Sequence, residues 1–375
     1  MIAEQLMTRQ EAIKFGRYEV VGEIGRGSMG VVYKARDPVI GRLVAVKSIP
    51  ETFGLATGKR EEFVKRLRQE AMTAGRLSHP NIVIIYDVGE VESGPFIAME
   101  HLDGVTLRDV ITAQKRVSLL QLQEIVSQVG EGLDYAHSKA IVHRDIKPAN
   151  IMIVADNRVK IMDLGIARLP MSELTREGKL VGSPSYMSPE QLSGETIDGR
   201  SDLFSLGVCI YQLMTFKKPF PGDSINEICY KIVHEDFTPP SRHQPELPPS
   251  FDEFMTVALA KDPDQRFQSG AEMVAALSRM AESSTGSFSA SRADSGRPLK
   301  DEVTAGGGLD DRTGSNPSLA QSSNIDDIFK DLTLSSRITD LKRQVQPESG
   351  TWKMIGAGAL AGFITIVLFF LIRSC

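Results

Sequence analysis

Five polar residues crowd one short stretch of the chain: His143, Arg144, Asp145, Lys147 and Asn150 in IVHRDIKPANIMI. Asp145 can accept a hydroxyl proton, or orient that hydroxyl for attack. Asn150 can hold a magnesium ion, and Lys147 can steady a transferring γ-phosphate. Further along, KIMDLG presents Asp163, a second hard oxygen ligand suited to magnesium. Two exposed acidic turns would offer the same residue types, but not in company with the two motifs upstream.

The first of those is GEIGRGSMGVVYKARD, which holds Gly25, Gly27, Gly30 and Val32 at GxGxxGxV spacing. A dinucleotide site would place such glycines between a strand and a helix. Here VVYKA follows at once, so strands lie on both sides and the pattern predicts a hairpin folding over nucleotide phosphates. Without a Cβ, backbone N–H groups can approach phosphate oxygens closely. The second motif is VAVK, whose Lys47 closes an apolar run. A buried ammonium needs an anionic partner. Phosphates are one. A glutamate of the nearby helix is the other, with Glu70 favoured over Glu61 and Glu62, which sit at the helix start where acids serve the dipole.

Elements to position these groups are legible. From Tyr18 to Glu100 the chain reads as short β-branched strands, such as YEVVGEIG, GVVYKARD, RLVAVKSIP and PFIAME. One helix, Arg60–Leu77, interrupts them. From Leu107 to Met280 the helical period dominates. A strand-rich small lobe followed by a helical large lobe is an α+β arrangement. A formal net charge of −5 over 375 residues argues against a nucleic-acid partner. Cys209 and Cys229 read as buried spacers of a reducing compartment, and no cysteine–histidine spacing suggests a structural metal. The N-terminus has no apolar core and does not read as a secretory signal.

The remainder divides by composition. Residues 1–16 are an N-terminal extension, 17–280 the catalytic domain and 281–324 a Ser/Gly/Asp-rich segment expected to be a disordered linker. Residues 325–353 recover some periodicity. Leu334, Ile338, Leu341 and Val345 make a juxtamembrane amphipathic helix plausible. The uncharged run 354–372, MIGAGALAGFITIVLFFLI, approaches the ~20 residues a bilayer span requires, and 373–375 form the tail. Trp352, Lys353 and Arg373 flank it, and Lys342, Arg343 and Lys353 place the preceding domain in the cytoplasm. The expectation is a membrane protein with a single-pass tail anchor. Gly358 and Gly362 form GxxxG, which permits a homodimer through close helix pairing.

On these residues the chain resembles the eukaryotic-like protein kinases, and within them the bacterial serine/threonine kinases. The likeness covers GxGxxGxV, VAVK, the helix glutamate, HRDxKxxN, a DFG-like DLG, an APE-like SPE at Ser188–Glu190, SDLFSLG and DPDQRF. It implies a bilobal fold, ATP with magnesium (or manganese in its place), and protein substrates. It implies that Ile24, Val32, Ala45, Met99, Glu100 and Leu102 surround the adenine, with Met99 as gatekeeper. It implies that Glu190 pairs with Arg266, and that Asp202 braces the backbone around His143. Lys147 resembles the serine/threonine rather than the tyrosine enzymes. A pseudokinase scaffold would lack Lys47, Asp145, Asn150 or Asp163; all four are present. Small-molecule phosphotransferases lack an activation segment closed by SPE.

Three positions depart from the family pattern. Leu164 stands for the usual Phe, Ser183 for Thr, and Thr106 for an acidic residue. Arg144 is the family's phosphate-responsive arginine, and Arg–phosphate pairing can order an activation segment. Thr175 is the favoured phosphosite, with Ser172 second, and Glu177 as a partial phosphate mimic. Confinement at a membrane would favour autophosphorylation in trans.

Overall fold

The computed structural model describes residues 13–27, 30–50, 60–164, 184–290 and 324–333. Its small lobe is a six-stranded antiparallel sheet in the order β1-β2-β3-β4-β6-β5. The strands are β1 (Lys14–Phe15), β2 (Tyr18–Gly27), β3 (Gly30–Arg36), β4 (Leu43–Ser48), β5 (Ile85–Val91) and β6 (Gly94–Glu100). Alternation along β4 and β6 explains the packing. Val44, Val46, Phe96 and Ala98 join Phe15 and Tyr18 on one face. Ala45, Ile97 and Met99 join Val64, Leu67 and Ala71 on the other. These last three come from helix α1 (Arg60–Ala74), which ends at Ala74 rather than at the expected Leu77. Burying each such side chain contributes roughly 1.5–3 kcal/mol, so the two-sided burial fixes the register of β4 and β6.

A second sheet, β7-β8-β9, lies at the start of the large lobe: β7 (Gly104–Thr106), β8 (Ile151–Val154) and β9 (Arg158–Ile161). The β8–β9 hairpin separates Asn150 from Asp163. Its last residue is tied to the segment leading into β5, because Ile161 N–H donates to Asn81 (2.8 Å) and Val83 N–H to Ile161 (2.9 Å).

The large lobe continues with helices α2 (Leu107–Thr112), α3 (Leu119–Ser138), α4 (Pro189–Ser193), α5 (Gly199–Thr215), α6 (Ile225–His234), α7 (Pro249–Ala258) and α8 (Gly270–Ala290). Reciprocal Ser118–Gln121 capping starts α3. At its crossing with α8 a Cβ on Gly270 would lie 2.5 Å from the Gly130 Cα, so position 270 needs glycine. Helix α5 is buried on nearly every side, as expected of a central helix. Its Cys209 is 1% exposed, and burial pushes the thiol pKa up.

Two boundaries differ from expectation. Helix α8 runs to Ala290, ten residues beyond the expected domain end, because helical hydrogen bonding carries on into the serine-rich run. Residues 326–333 form a helix, α9, inside the juxtamembrane segment whose periodicity suggests one, and Asn324, expected in the linker, is hydrogen-bonded to Gln121 of the large lobe. The stripe from Leu334 to Val345 and the apolar run 354–372 lie outside the described residues. Among the described residues no helix is long and apolar enough to cross a membrane.

Candidate active site

Positioning begins with Asp202 on α5, which is 1% exposed. One carboxylate oxygen accepts the Arg144 N–H (2.7 Å). The other accepts the His143 N–H (2.8 Å) and His137 Nε2 (2.8 Å). Arg144 adopts φ 64°, a left-handed conformation of the kind that usually costs a non-glycine residue energy. The two amide bonds to Asp202 hold the backbone there. His143 is fully buried, and the Asp145 N–H donates to its Nδ1 (3.2 Å). That leaves Nε2 to donate to the Met162 carbonyl (2.9 Å), next to Asp163. One imidazole thus joins the two acidic segments.

One carboxylate oxygen of Asp145 meets two neighbours. Lys147 Nζ donates to Oδ2 (2.7 Å), and so does Asn150 Nδ2 (3.1 Å), which also donates to the Asp145 carbonyl (2.9 Å). Using its nitrogen on Asp145 leaves the Asn150 amide oxygen as a ligand atom. Opposite, Lys47 Nζ lies 2.8 Å from Asp163 Oδ2. Burial alone would raise the Asp163 pKa. Lys47, aided by Lys147 and His143, outweighs burial and holds the carboxyl below its usual range. An ionised carboxylate and an amide oxygen are hard donors, a set that fits magnesium sharing its shell with phosphate oxygens. Among the described residues no cluster of three or more His, Cys, Asp or Glu could hold a metal alone.

The glycine hairpin supplies the roof. Gly25 pairs with Val32 and Gly27 with Gly30 across β2 and β3. Gly30, at φ 133°, would drive a Cβ to 2.0 Å from the Ser48 carbonyl oxygen. A Cβ on Gly25 or Gly27 would instead meet nothing within 4 Å. Packing does not demand those two glycines, whereas a bound polyphosphate would. Val32, Ala45, Met99 and Leu102 share one apolar cluster. Ile24 is 52% exposed on β2.

One expected pair is not formed. Lys47 meets Asp163, not Glu70. One ammonium has two carboxylates to choose from, and the charges of Arg66 and Arg144 act on Glu70. One Glu70 carboxylate oxygen is buried without a hydrogen-bond partner. Burial raises the Glu70 pKa against the opposing pull of Arg66 and Arg144. Other expected contacts are present. Arg266 makes two 2.8 Å bonds to Glu190, both residues being buried. Leu164, 4% exposed, packs with Ala74, Leu77, Ile82 and Ala136. Thr106 caps α2 through a reciprocal bond pair with Asp109, so its side chain is committed to the fold. Thr175, Ser172, Glu177 and Ser183 lie outside the described residues.

Two residues escaped sequence reasoning. His137 completes the Asp202 cluster. Lys160, 4% exposed on β9, donates to the Glu100 carboxylate (2.9 Å) and the Ile82 carbonyl (3.3 Å). Its signal was a lysine between two buried β-branched residues, Val159 and Ile161, which calls for an anion nearby.

A strand-rich lobe set over a helical one, with a lysine from the first facing an acid from the second, is the plan of a two-lobed phosphotransferase domain. The protein kinase domain matches residues 18–277, and the chain belongs to the protein kinase family. The serine/threonine-protein kinase PknB of Mycolicibacterium smegmatis is 42% identical over 273 residues, 71% of this chain and 43% of that protein. The probable serine/threonine-protein kinase SCO3848 of Streptomyces coelicolor is 42% identical over 265 residues, 69% of this chain and 39% of its own length. The probable serine/threonine-protein kinase PknB of Corynebacterium glutamicum is 41% identical over 275 residues, 70% and 42% of the two chains. The chain spans about two fifths of the length of these curated relatives.

Proposed function

We propose that this chain is a serine/threonine protein kinase, transferring the γ-phosphate of ATP to seryl or threonyl hydroxyls of other proteins. One observation carries the reading: Asp145 is held by Lys147 and Asn150 while Asp163 faces Lys47. Asp145 orients the acceptor hydroxyl and takes up its proton. Lys147 offsets charge on the transferring phosphoryl group, and Lys47 grips the inner phosphates under the glycine hairpin. Magnesium, when bound at Asp163 and Asn150, neutralises the phosphate oxygens. The test is phosphate incorporation from labelled ATP into a protein substrate by the full chain, with Asp145→Asn alongside. The variant is expected to lose on the order of 100- to 10,000-fold. Equal incorporation by both would sink the assignment, and phosphotyrosine as the product would sink the serine/threonine preference.

The run 354–372 supports anchoring in a membrane with the kinase domain on the cytoplasmic side. Removing Lys353–Cys375 is expected to move the protein from the membrane to the soluble fraction. Confinement there promotes autophosphorylation in trans, with Thr175 the preferred site, Ser172 second, and Arg144 the partner of the phosphate. Pairing of two copies through Gly358 and Gly362 brings them together. Phosphosite mapping of active enzyme that found Thr175 unmodified would redirect the site.

A further inference from the structure

Residues 324–330, NIDDIFK, follow a stretch rich in Ser, Gly and Asp, yet they are packed as core. Ile325 and Ile328 are both 0% exposed. Their spacing puts them on one face of a helical turn. Asn324 opens that turn, since its side-chain oxygen accepts the Asp326 N–H (2.8 Å). Asp326 and Asp327 then lie in the first turn, where negative charge suits the helix dipole.

The large lobe holds this turn at two points. Gln121, in the first turn of α3, donates from Nε2 to the Asn324 carbonyl (3.1 Å), while its Oε1 accepts the Ser118 N–H (3.0 Å). The capping residue of α3 therefore also serves as a docking contact. Asn157, in the β8–β9 turn, makes a reciprocal pair with Asp326. The Asn157 N–H donates to Asp326 Oδ1 (2.7 Å), and the Asp326 N–H to Asn157 Oδ1 (2.9 Å). Asn157 has φ 55°, so the turn presents its N–H outward in a fixed direction. The Asn157 carbonyl accepts from Gln128 Nε2 (2.6 Å), and Gln128 Oε1 accepts from Asn81 (2.9 Å) and from the Val159 N–H (2.8 Å). The turn is thus fixed from behind by α3 and by the loop before β5.

We propose that the surface between the first turn of α3 and the β8–β9 turn is a peptide-docking site. Its ligand is a short acidic helical turn of the form Asn-Ile-Asp-x-Ile, two isoleucines three apart behind a capping asparagine, and the chain's own Asn324–Lys330 fills it in cis. The isoleucines supply the buried anchor, and Asp326 with Asn157 supplies the register. The site lies apart from Lys47, Asp145 and Asp163, and the proposal does not depend on phosphoryl transfer.

Amide hydrogen exchange on the full chain and on its Ile325→Asp/Ile328→Asp variant tests this. The Asn157 amide is expected to exchange at least tenfold faster in the variant, with the amides of α5 unchanged as a control for folding. Wild-type protection should be independent of protein concentration. A fluorescent peptide of residues 324–333 should bind the variant at least tenfold more tightly than the wild type, whose site is filled. Equal Asn157 exchange in the two proteins overturns the docking site. Equal peptide affinity overturns its occupation in cis. Protection lost on dilution assigns the segment to a second copy, and so also overturns the cis arrangement.

Discussion

Glu190 in the large lobe is buried and Glu70 in the small lobe half-buried, with opposite results. Glu190 receives two bonds from Arg266 and one from Ser201. Burial would raise its pKa, but Arg266 and Ser201 outweigh burial and hold the carboxyl below its usual range. Glu70 has a buried oxygen with no partner, and burial raises its pKa. The groups that hold Asp145 and Asn150 are built on satisfied buried polar pairs. The helix carrying Glu70 is not tied to Lys47. The lesson is that the large-lobe half of the site is preorganised by hydrogen bonds, while in the small-lobe half Lys47 is paired with Asp163 and one Glu70 oxygen is left without a partner.

The contrast can be broken most severely at Lys47. Lys47→Met should lower kcat on the order of 100-fold or more, because its role is charge neutralisation, and should also cost some stability in urea by leaving Asp163 without its ammonium. A variant with full turnover would remove Lys47 from the site. Next in size, Glu190→Gln leaves Arg266 buried and without its carboxylate. It should cost roughly 3–5 kcal/mol in urea unfolding. A loss below about 1 kcal/mol would show that the pair is not the tie described.

The sharpest test concerns pH. Glu70 has a folded pKa above the 4.5 of an ordinary glutamate, so its contribution is fully present below that value and is lost as pH rises through the folded pKa. Glu190 has a folded pKa below 4.5, so its contribution is present above that value and is lost as pH falls through the folded pKa. Glu70→Gln should therefore match wild type in acid and gain relative stability as pH rises toward neutrality. Paired unfolding curves at each end check this, and a gain of the opposite sign contradicts the unpartnered carboxylate. The smallest effect belongs to a neutral cap. Thr106→Ala should cost about 1 kcal/mol, measured by the same unfolding curves. A much larger loss would mean that caps rather than ion pairs carry the lobe.

Much of the site was legible. Asp145, Lys147 and Asn150 fall within six residues of one another, so a single turn and its neighbours bring them together without help from distant chain. Gly25, Gly27 and Gly30 straddle a hairpin that strand propensity alone announces. Glu190 with Arg266, and Asp202 with His143, were reachable through the family resemblance. His137 was not, since nothing local separates a histidine near a helix end from a solvated one, and for Lys160 the one local signal was its apolar neighbours Val159 and Ile161. Residues 325–353 carried some helical periodicity, but nothing in their pattern showed that Ile325 and Ile328 are buried. The phosphosites and the apolar run rest on sequence alone.

Local spacing determined the chemistry: which side chains can bind phosphate, ligate a cation or accept a proton follows from residue type at short separation. Alternation with a period of two likewise determined the faces of β4 and β6. Only the tertiary structure decided which carboxylate meets Lys47 and where Asn324–Lys330 docks. Both outcomes depend on groups distant in sequence competing for the same few ångströms. Coulomb attraction and burial act through space, and a linear pattern carries no record of which competitor arrives closer.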